Sequence, residues 1–264
     1  MAVVGTNTWN AIAYGNGKYV AVGNSGYITT STDGVNWTEP VLAVTPKSGI
    51  YDITGFAYGN GIFVGACCIG VLTSRDGITW TKTVISKTGC SWYSCIYANG
   101  KFVIGGVNSS GTGVNGFVAI STDGANWTLA DKTPAKCSGL AYGNGIYFAV
   151  GDKYVSRSTD GITWSLLKIG TVTWIATAFG NGIFVAVGSN GWIANSLDGK
   201  TWSNQEQVGT ASWYKVIYNK DRFIAINSRY YTTSVDGITW TTPTEIKDAA
   251  GNNLTGISAI MVIP

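Results

Sequence analysis

The chain has 264 residues, of which 45% are hydrophobic and only 12% charged, with 36 glycines, 11 tryptophans and a net charge of +3. It contains no histidine, which removes the commonest general base and the commonest zinc ligand, and with them any Ser-His-Asp or Cys-His site. The small net charge and the lack of a basic run with interleaved aromatics argue against nucleic acid or an anionic membrane as partner, and no apolar stretch approaches the ~20 residues of a membrane span.

The opening MAVVGTNTWN has neither a positive n-region nor an apolar h-region, so no signal peptide is expected. An apolar run ending at Tyr14 then predicts a first strand, and Gly15-Asn16-Gly17 predicts a tight hairpin turn in which Asn-Gly supplies positive φ. Lys18–Gly23 reads as a second strand and Tyr27–Thr30 as a third. The string STDGVNW at Ser31–Trp37 predicts another tight turn, with a fourth strand starting near its tryptophan. The grammar returns five times, through SRDGITW at Ser74–Trp80, STDGANW at Ser121–Trp127, STDGITW at Ser158–Trp164, SLDGKTW at Ser196–Trp202 and SVDGITW at Ser234–Trp240. The aspartates are 43, 47, 37, 38 and 38 residues apart. A repeat of that length with strand patterns signals a propeller of four-stranded blades. The expected fold is all-β: a single six-bladed β-propeller domain over 1–264, each blade built of antiparallel strands A to D. Leu254–Ile263 is left over as a surplus strand whose LTGIS resembles ITGFA at 53–57. It either closes the ring beside Val3-Val4 or belongs to an incomplete seventh blade.

Strand A shows how blades stack. Ile12, Phe56, Cys95, Leu140, Thr177 and Val216 share one position, followed by the mostly small Ala13, Ala57, Ile96, Ala141, Ala178 and Ile217. Large residues on one face and small ones on the other let neighbouring sheets nest. The five cysteines, Cys67, Cys68, Cys90, Cys95 and Cys137, are odd in number and form no CxxC. They read as thiols rather than a disulfide framework, a Cys68–Cys90 contact between neighbouring blades being the one pairing left open.

In each S-x-D-G-x-x-W string the aspartate is expected to accept hydrogen bonds from its own turn, the glycine to take a conformation a Cβ would penalise, and the tryptophan to bury its ring. Six acids in one repeated context read as structural pins. One Asp per turn does not supply the several oxygens calcium needs, so no metal or other cofactor is expected.

These strings resemble the BNR or Asp-box repeat family, over roughly residues 8 to 245. The resemblance implies a propeller fold shared by sialidases, glucan-cleaving hydrolases, sorting receptors and lectin-like proteins. The accompanying A-Y-G-N-G-x-F-V-A-V-G pattern looks like propellers of phage tail and bacterial surface proteins. Sialidase activity would require an arginine triad and a Tyr–Glu pair. The chain has four arginines, and Arg75, Arg157 and Arg222 belong towards the face of the repeated turns, leaving only Arg229 opposite.

The A–B and C–D turns, nearly identical in every repeat, belong on one face of such a ring. The B–C loops and D–A crossovers belong on the other and differ in every blade: Asn24-Ser25, Cys67-Cys68-Ile69, and Val107–Gly116 in blade 3. Trp9, Trp92, Trp174 and Trp213 are equivalent, five residues before the strand-A aromatic, with Ile53 and Cys137 in the other two blades. Tyr93 and Tyr214 follow two of them, and Trp192 opens strand C of blade 5. Sugar rings stack on such aromatics, so these seven residues are the candidate glycan-binding set; the alternative is that the tryptophans fill the wedge between blades. Lys215 stands where other inner strands carry Ala11, Gly55, Ser94, Gly139 and Ala176, and either attracts an anion in the central channel or is simply solvated there. Asp52, Asp131, Asp152, Glu206, Glu245 and Asp248 are the variable-face acids from which a two-carboxylate glycosidase would draw its pair, though no spacing selects one. The Asn-x-Ser/Thr strings at Asn36, Asn108, Asn126 and Asn253 read as chance in an Asn- and Thr-rich chain.

The reading that follows is a non-catalytic recognition module binding glycans or a cell surface, on a phage virion or bacterial surface, without nucleic-acid partner or membrane insertion. A structural propeller docking other virion or surface proteins is the alternative, with a glycosidase third.

Overall fold

A computed structural model describes residues 7–44, 52–68, 70–85, 90–108, 116–130, 136–203, 206–248 and 250–260. These form six four-stranded antiparallel sheets, each in sequence order A-B-C-D, arranged as a six-bladed propeller. Strands A are Trp9–Gly15, Gly55–Gly59, Cys90–Ala98, Gly139–Gly143, Trp174–Gly180 and Lys215–Asn219. The outermost strands D are short, from Val41–Leu42 in blade 1 to Thr81–Val84 in blade 2.

The A–B hairpins form because Asn and Gly accept the left-handed region: Asn16 and Gly17 lie at φ 48° and 73°, and four more blades repeat this. Blade 6 departs from it, with Lys220 at φ 54° in the Asn position. The residues flanking each turn are aromatic and face each other across the ladder, as Tyr14 with Tyr19 and Tyr58 with Phe63. In all six blades these rings lie 4.6–4.8 Å apart, a cross-strand pair that fixes the register of the hairpin.

The S-x-D-G-x-x-W turns are built alike. At each, the Ser hydroxyl donates to Asp Oδ1 at 2.8–3.2 Å and accepts the Gly N–H at 2.8 Å. Asp Oδ1 also accepts the N–H groups of the second and third residues beyond it, as Ile162 and Thr163 give to Asp160 at 2.8 Å. Trp37, Trp80, Trp127 and Trp164 return their indole N–H to the turn glycine's carbonyl at 3.0–3.3 Å. These aspartates are pins of their own turns, as the sequence pattern predicts.

Blades are tied together at both faces. On the turn face, Asn16 Nδ2 donates to the Arg75 carbonyl of blade 2 at 2.7 Å, and Lys101 Nζ to the Asp160 carbonyl of blade 4 at 3.2 Å. On the opposite face, the residue entering strand A donates its N–H to the end of the previous blade's strand B or the loop after it. Ile53 gives to Gly23 at 3.1 Å, Cys137 to Gly106 at 3.3 Å, Trp174 to Asp152 at 2.7 Å and Trp213 to Gly188 at 3.0 Å. Between the faces lie apolar clusters, one for each pair from blades 1–2 to blades 5–6.

Among the described residues no such cluster joins blade 6 to blade 1, and their A strands do not pack together as the other neighbours do. The place between them is taken by the C-terminal segment. After strand D of blade 6 the chain turns back at Asp248, whose carboxylate accepts the Ala250 and Asn252 N–H groups at 2.9 Å. Ile257 then donates its N–H to the Ser228 carbonyl of blade 6 at 3.2 Å, and the Ser258 hydroxyl donates to the Trp9 carbonyl of blade 1. Ser258, Ala259 and Ile260 line the central channel alongside the six A strands. The expected surplus strand over 254–263 is thus corrected: 254–260 forms no ladder, because blades meet face to face and a lone segment between two of them has no free sheet edge to pair with. Val3-Val4 and residues 261–263 lie outside the described residues. All five cysteines are thiols, so the Cys68–Cys90 pairing is not made.

Candidate functional site

Where strand A begins, on the face of the variable loops, the ladder carries an extra residue. The register shifts between Trp9 and Ala11, between Trp92 and Ser94, and between Trp174 and Ala176. In blade 6, Tyr214 donates its N–H to Ile226, which also pairs with Lys215, so Tyr214 is the extra residue there. A bulge of this kind re-aims one side chain relative to its neighbour. It sends the first residue into the interface between blades and the second to the mouth of the channel. Asn10, Thr54, Tyr93, Ser138, Ile175 and Tyr214, one from each blade, surround that mouth. One step deeper stand Ala11, Gly55, Ser94, Gly139, Ala176 and Lys215. The cavity they enclose has a volume of about 580 Å³.

This division overturns part of the expected glycan-binding set. Trp92, Trp174 and Trp213 are each at most 1% exposed, packed in the clusters between blades. Trp174 and Trp213 donate their indole N–H to the Ile169 and Val208 carbonyls, both at 3.1 Å. A ring sealed in this way has no face to offer a sugar. Ile53 and Cys137, in the same position, are fully buried too, which marks it as a core position. Trp9, beside the C-terminal segment, is half-buried, and half-buried Trp192 packs on the cluster between blades 4 and 5, away from the channel. Tyr93 and Tyr214 are 39% and 45% exposed and stand at the mouth. Asn10, Thr54, Ser138 and Ile175 were missed by the sequence reading; their signal is their place one residue after the tryptophan position in every repeat.

The described acids of the variable face do not converge on the cavity. The Asp52 carboxylate accepts the Ser25 N–H at 2.8 Å, and Asp248 caps its own turn. Glu245 is ion-paired with Arg229, whose guanidinium also lies over the Tyr230 ring. Asp152 and Glu206 are likewise absent from the cavity wall, and Asp131 lies outside the described residues. The charges that do line the cavity are Lys215 and, at its rim, the exposed Lys136. Burial lowers the Lys215 pKa below the usual lysine value. Its Nζ has no hydrogen-bond or ion-pair partner among the described residues.

No family model matches the chain, and no curated protein matches it. Solved structures do. It is similar to virginiamycin B lyase from Staphylococcus aureus (TM-score 0.75, 11% identity, 92% of this chain and 86% of that one). It is also similar to YCF48 bound to D1 peptide (TM-score 0.68, 17% identity, 90% and 82%) and to the WD40 β-propeller domain of Doa1 (TM-score 0.69, 10% identity, 91% and 83%). At these identities the likeness is one of fold: the chain shares its propeller architecture with a lyase, a peptide-bound protein and a WD40 domain alike.

Proposed function

We propose that this chain is a non-catalytic recognition propeller that docks an extended polypeptide across the mouth of its channel. One observation carries the reading. The repeated tryptophans are spent on packing, while the residue that follows the tryptophan position faces the mouth and varies among the blades, from Asn10, Thr54 and Ser138 to Ile175 and the two tyrosines. A rigid frame thus presents six independently chosen side chains around one opening, the arrangement in which binding residues diversify without cost to the fold. Tyr93 and Tyr214 supply rings that are apolar on the face and polar at the tip, which suits protein interfaces. A peptide-bound propeller among the similar structures supports the same reading. Membership of the Asp-box repeat family, and a place on a virion or cell surface, fit the repeated turn and the sparsely charged, hydroxyl-rich composition.

Glycan binding is the second reading. It is favoured by the two exposed tyrosines standing near Asn10, Thr54 and Ser138 in a cavity of sugar-compatible size. Parallel screens on a random peptide array and a glycan array, with Tyr93→Ala and Tyr214→Ala alongside, separate the two. Peptide binding that falls in both variants is the expected result. Binding to a defined sugar class, with no peptide retained, would replace docking by the lectin reading.

A further inference from the structure

Lys215 is the one charged residue in the inner layer of the channel wall, where the five equivalent residues are alanine, glycine or serine. Its surroundings are not built to neutralise it. Thr54, Ser94, Thr177 and Ser258 each donate their hydroxyl proton to a backbone carbonyl: Trp92, Gly105 or Cys137, Val185, and Trp9. Both N–H donations of the Asn10 amide go to Asn24 Oδ1 and the Ile53 carbonyl. Among the described residues no aspartate or glutamate lines the cavity, while Lys136 adds a second positive charge at the rim. A half-buried ammonium without an anion is costly to keep in a protein wall, and its own desolvation lowers its pKa. An incoming anion would find its charge unanswered and its N–H donors uncommitted.

We propose that the channel mouth binds an organic monocarboxylate, with the Lys215 ammonium as its charge partner. The class follows from the wall. A single recessed ammonium balances one negative charge, whereas a dianion such as phosphate would bring uncompensated charge into a partly desolvated site. The remaining lining alternates hydroxyls with the apolar Ile12, Phe56 and Ile217, and so suits a carbon skeleton behind the carboxylate. A volume of about 580 Å³ accommodates a small acid or the end of a chain. Lys136, on the approach, raises the local anion concentration. The proposal rests on the channel mouth being the recognition site, and names the chemistry it selects.

The test is a titration of the whole protein with benzoate at low salt, followed by amide chemical shifts, on wild type, Lys215→Met, Lys215→Arg and Lys200→Met. Lys200 is exposed in a turn on the opposite face, and serves as the charge control. Saturable shifts clustered around residues 93, 138 and 214 are expected, with affinity about tenfold or more weaker in Lys215→Met and nearly kept in Lys215→Arg and Lys200→Met. No saturable binding by wild type, or undiminished binding by a folded Lys215→Met, overturns the proposal. A second arm compares peptides with free and amidated C-termini. Binding of free-terminus peptides through Lys215 assigns the carboxylate to a polypeptide, and binding of benzoate alone assigns it to a free small acid. Peptide capture indifferent to amidation and to Lys215→Met sinks the carboxylate site and leaves the docking reading intact.

Discussion

Each turn aspartate is held by two or more backbone N–H donors, and those donors lower its pKa in all six copies, to about 2 for Asp160, Asp198 and Asp236. Asp33, Asp76 and Asp123 are shifted the same way by the same cause. A carboxylate whose folded pKa lies below its unfolded value of about 3.9 contributes stability that is complete above that value and is lost as pH falls through the folded one. Six such groups act in one direction and no histidine titrates nearer neutrality. The urea midpoint is therefore expected to stay level between pH 8 and pH 5, then to fall steeply from about pH 4 to about pH 2. A midpoint that already drops between pH 7 and pH 5 would contradict this account of the pins. The bulge makes a second residue-scale prediction. Trp213→Ala empties a buried site and should cost about 3–5 kcal/mol in urea unfolding, whereas Tyr214→Ala, one residue on and exposed, should stay within about 0.5 kcal/mol. Comparable losses at both positions would refute the division between core and mouth.

The repeated element is the A–B hairpin, and it explains a glycine that no turn requires. Gly59 ends strand A of blade 2, and a Cβ placed there would lie 2.0 Å from the Tyr97 ring of blade 3. Gly15, Gly143 and Gly180 meet Tyr58, Phe179 and Tyr218 in the same way. The aromatics of these four hairpins therefore dock on the backbone of the blade before, and Gly59→Ala should cost about 1–3 kcal/mol by forcing blades 2 and 3 apart. A thermal melt shows whether it does; an unchanged midpoint would mean that Tyr97 simply swings away. Strands, hairpins and pins were legible in the sequence because each is a local pattern: Asn-Gly, alternating apolar residues and S-x-D-G-x-x-W. The fate of Trp92, Trp174 and Trp213 was not. Strict alternation places a residue and its neighbour on opposite faces, but a one-residue bulge at the start of strand A decides which face is the core, and nothing in WYS or WIA announces it. Nor did the sequence distinguish a mouth lined by the six residues that follow the tryptophan position from a ring of tryptophans.

A propeller is a cyclic stack in which stability accumulates blade by blade and interface by interface, so an open stack lacks one interface that a closed one has. Here the weak member is between blades 6 and 1. One substitution and one exposed ring mark it. Asn219 stands where other blades end strand A with a small residue, and its buried Oδ1 has no hydrogen-bond partner among the described residues. Tyr14, which the preceding blade would cover in the other interfaces, is 38% exposed. The C-terminal segment makes up part of the deficit, holding blade 6 through Ser228 and blade 1 through Trp9. The segment sits as the start of a seventh strand A would, without the sheet behind it, but three residues later than the likeness of LTGIS to ITGFA would place it: Ile257, not Leu254, makes the bond that Ile53 makes in blade 2. A chain ending at Asn253 should consequently still fold, since five apolar clusters are untouched, but with a ring free to open at one place. For a protein of this size, loss of about 1–2 kcal/mol corresponds to a melting temperature lower by roughly 2–8 °C. Amide exchange locates the effect: protection should fall in strands A of blades 1 and 6 and hold in blades 3 and 4, because local opening follows the interface with fewest buried contacts. Uniform loss across all six blades would instead show that the C-terminal segment supports the ring as a whole, and that the boundary between blades 6 and 1 is no weaker than the rest.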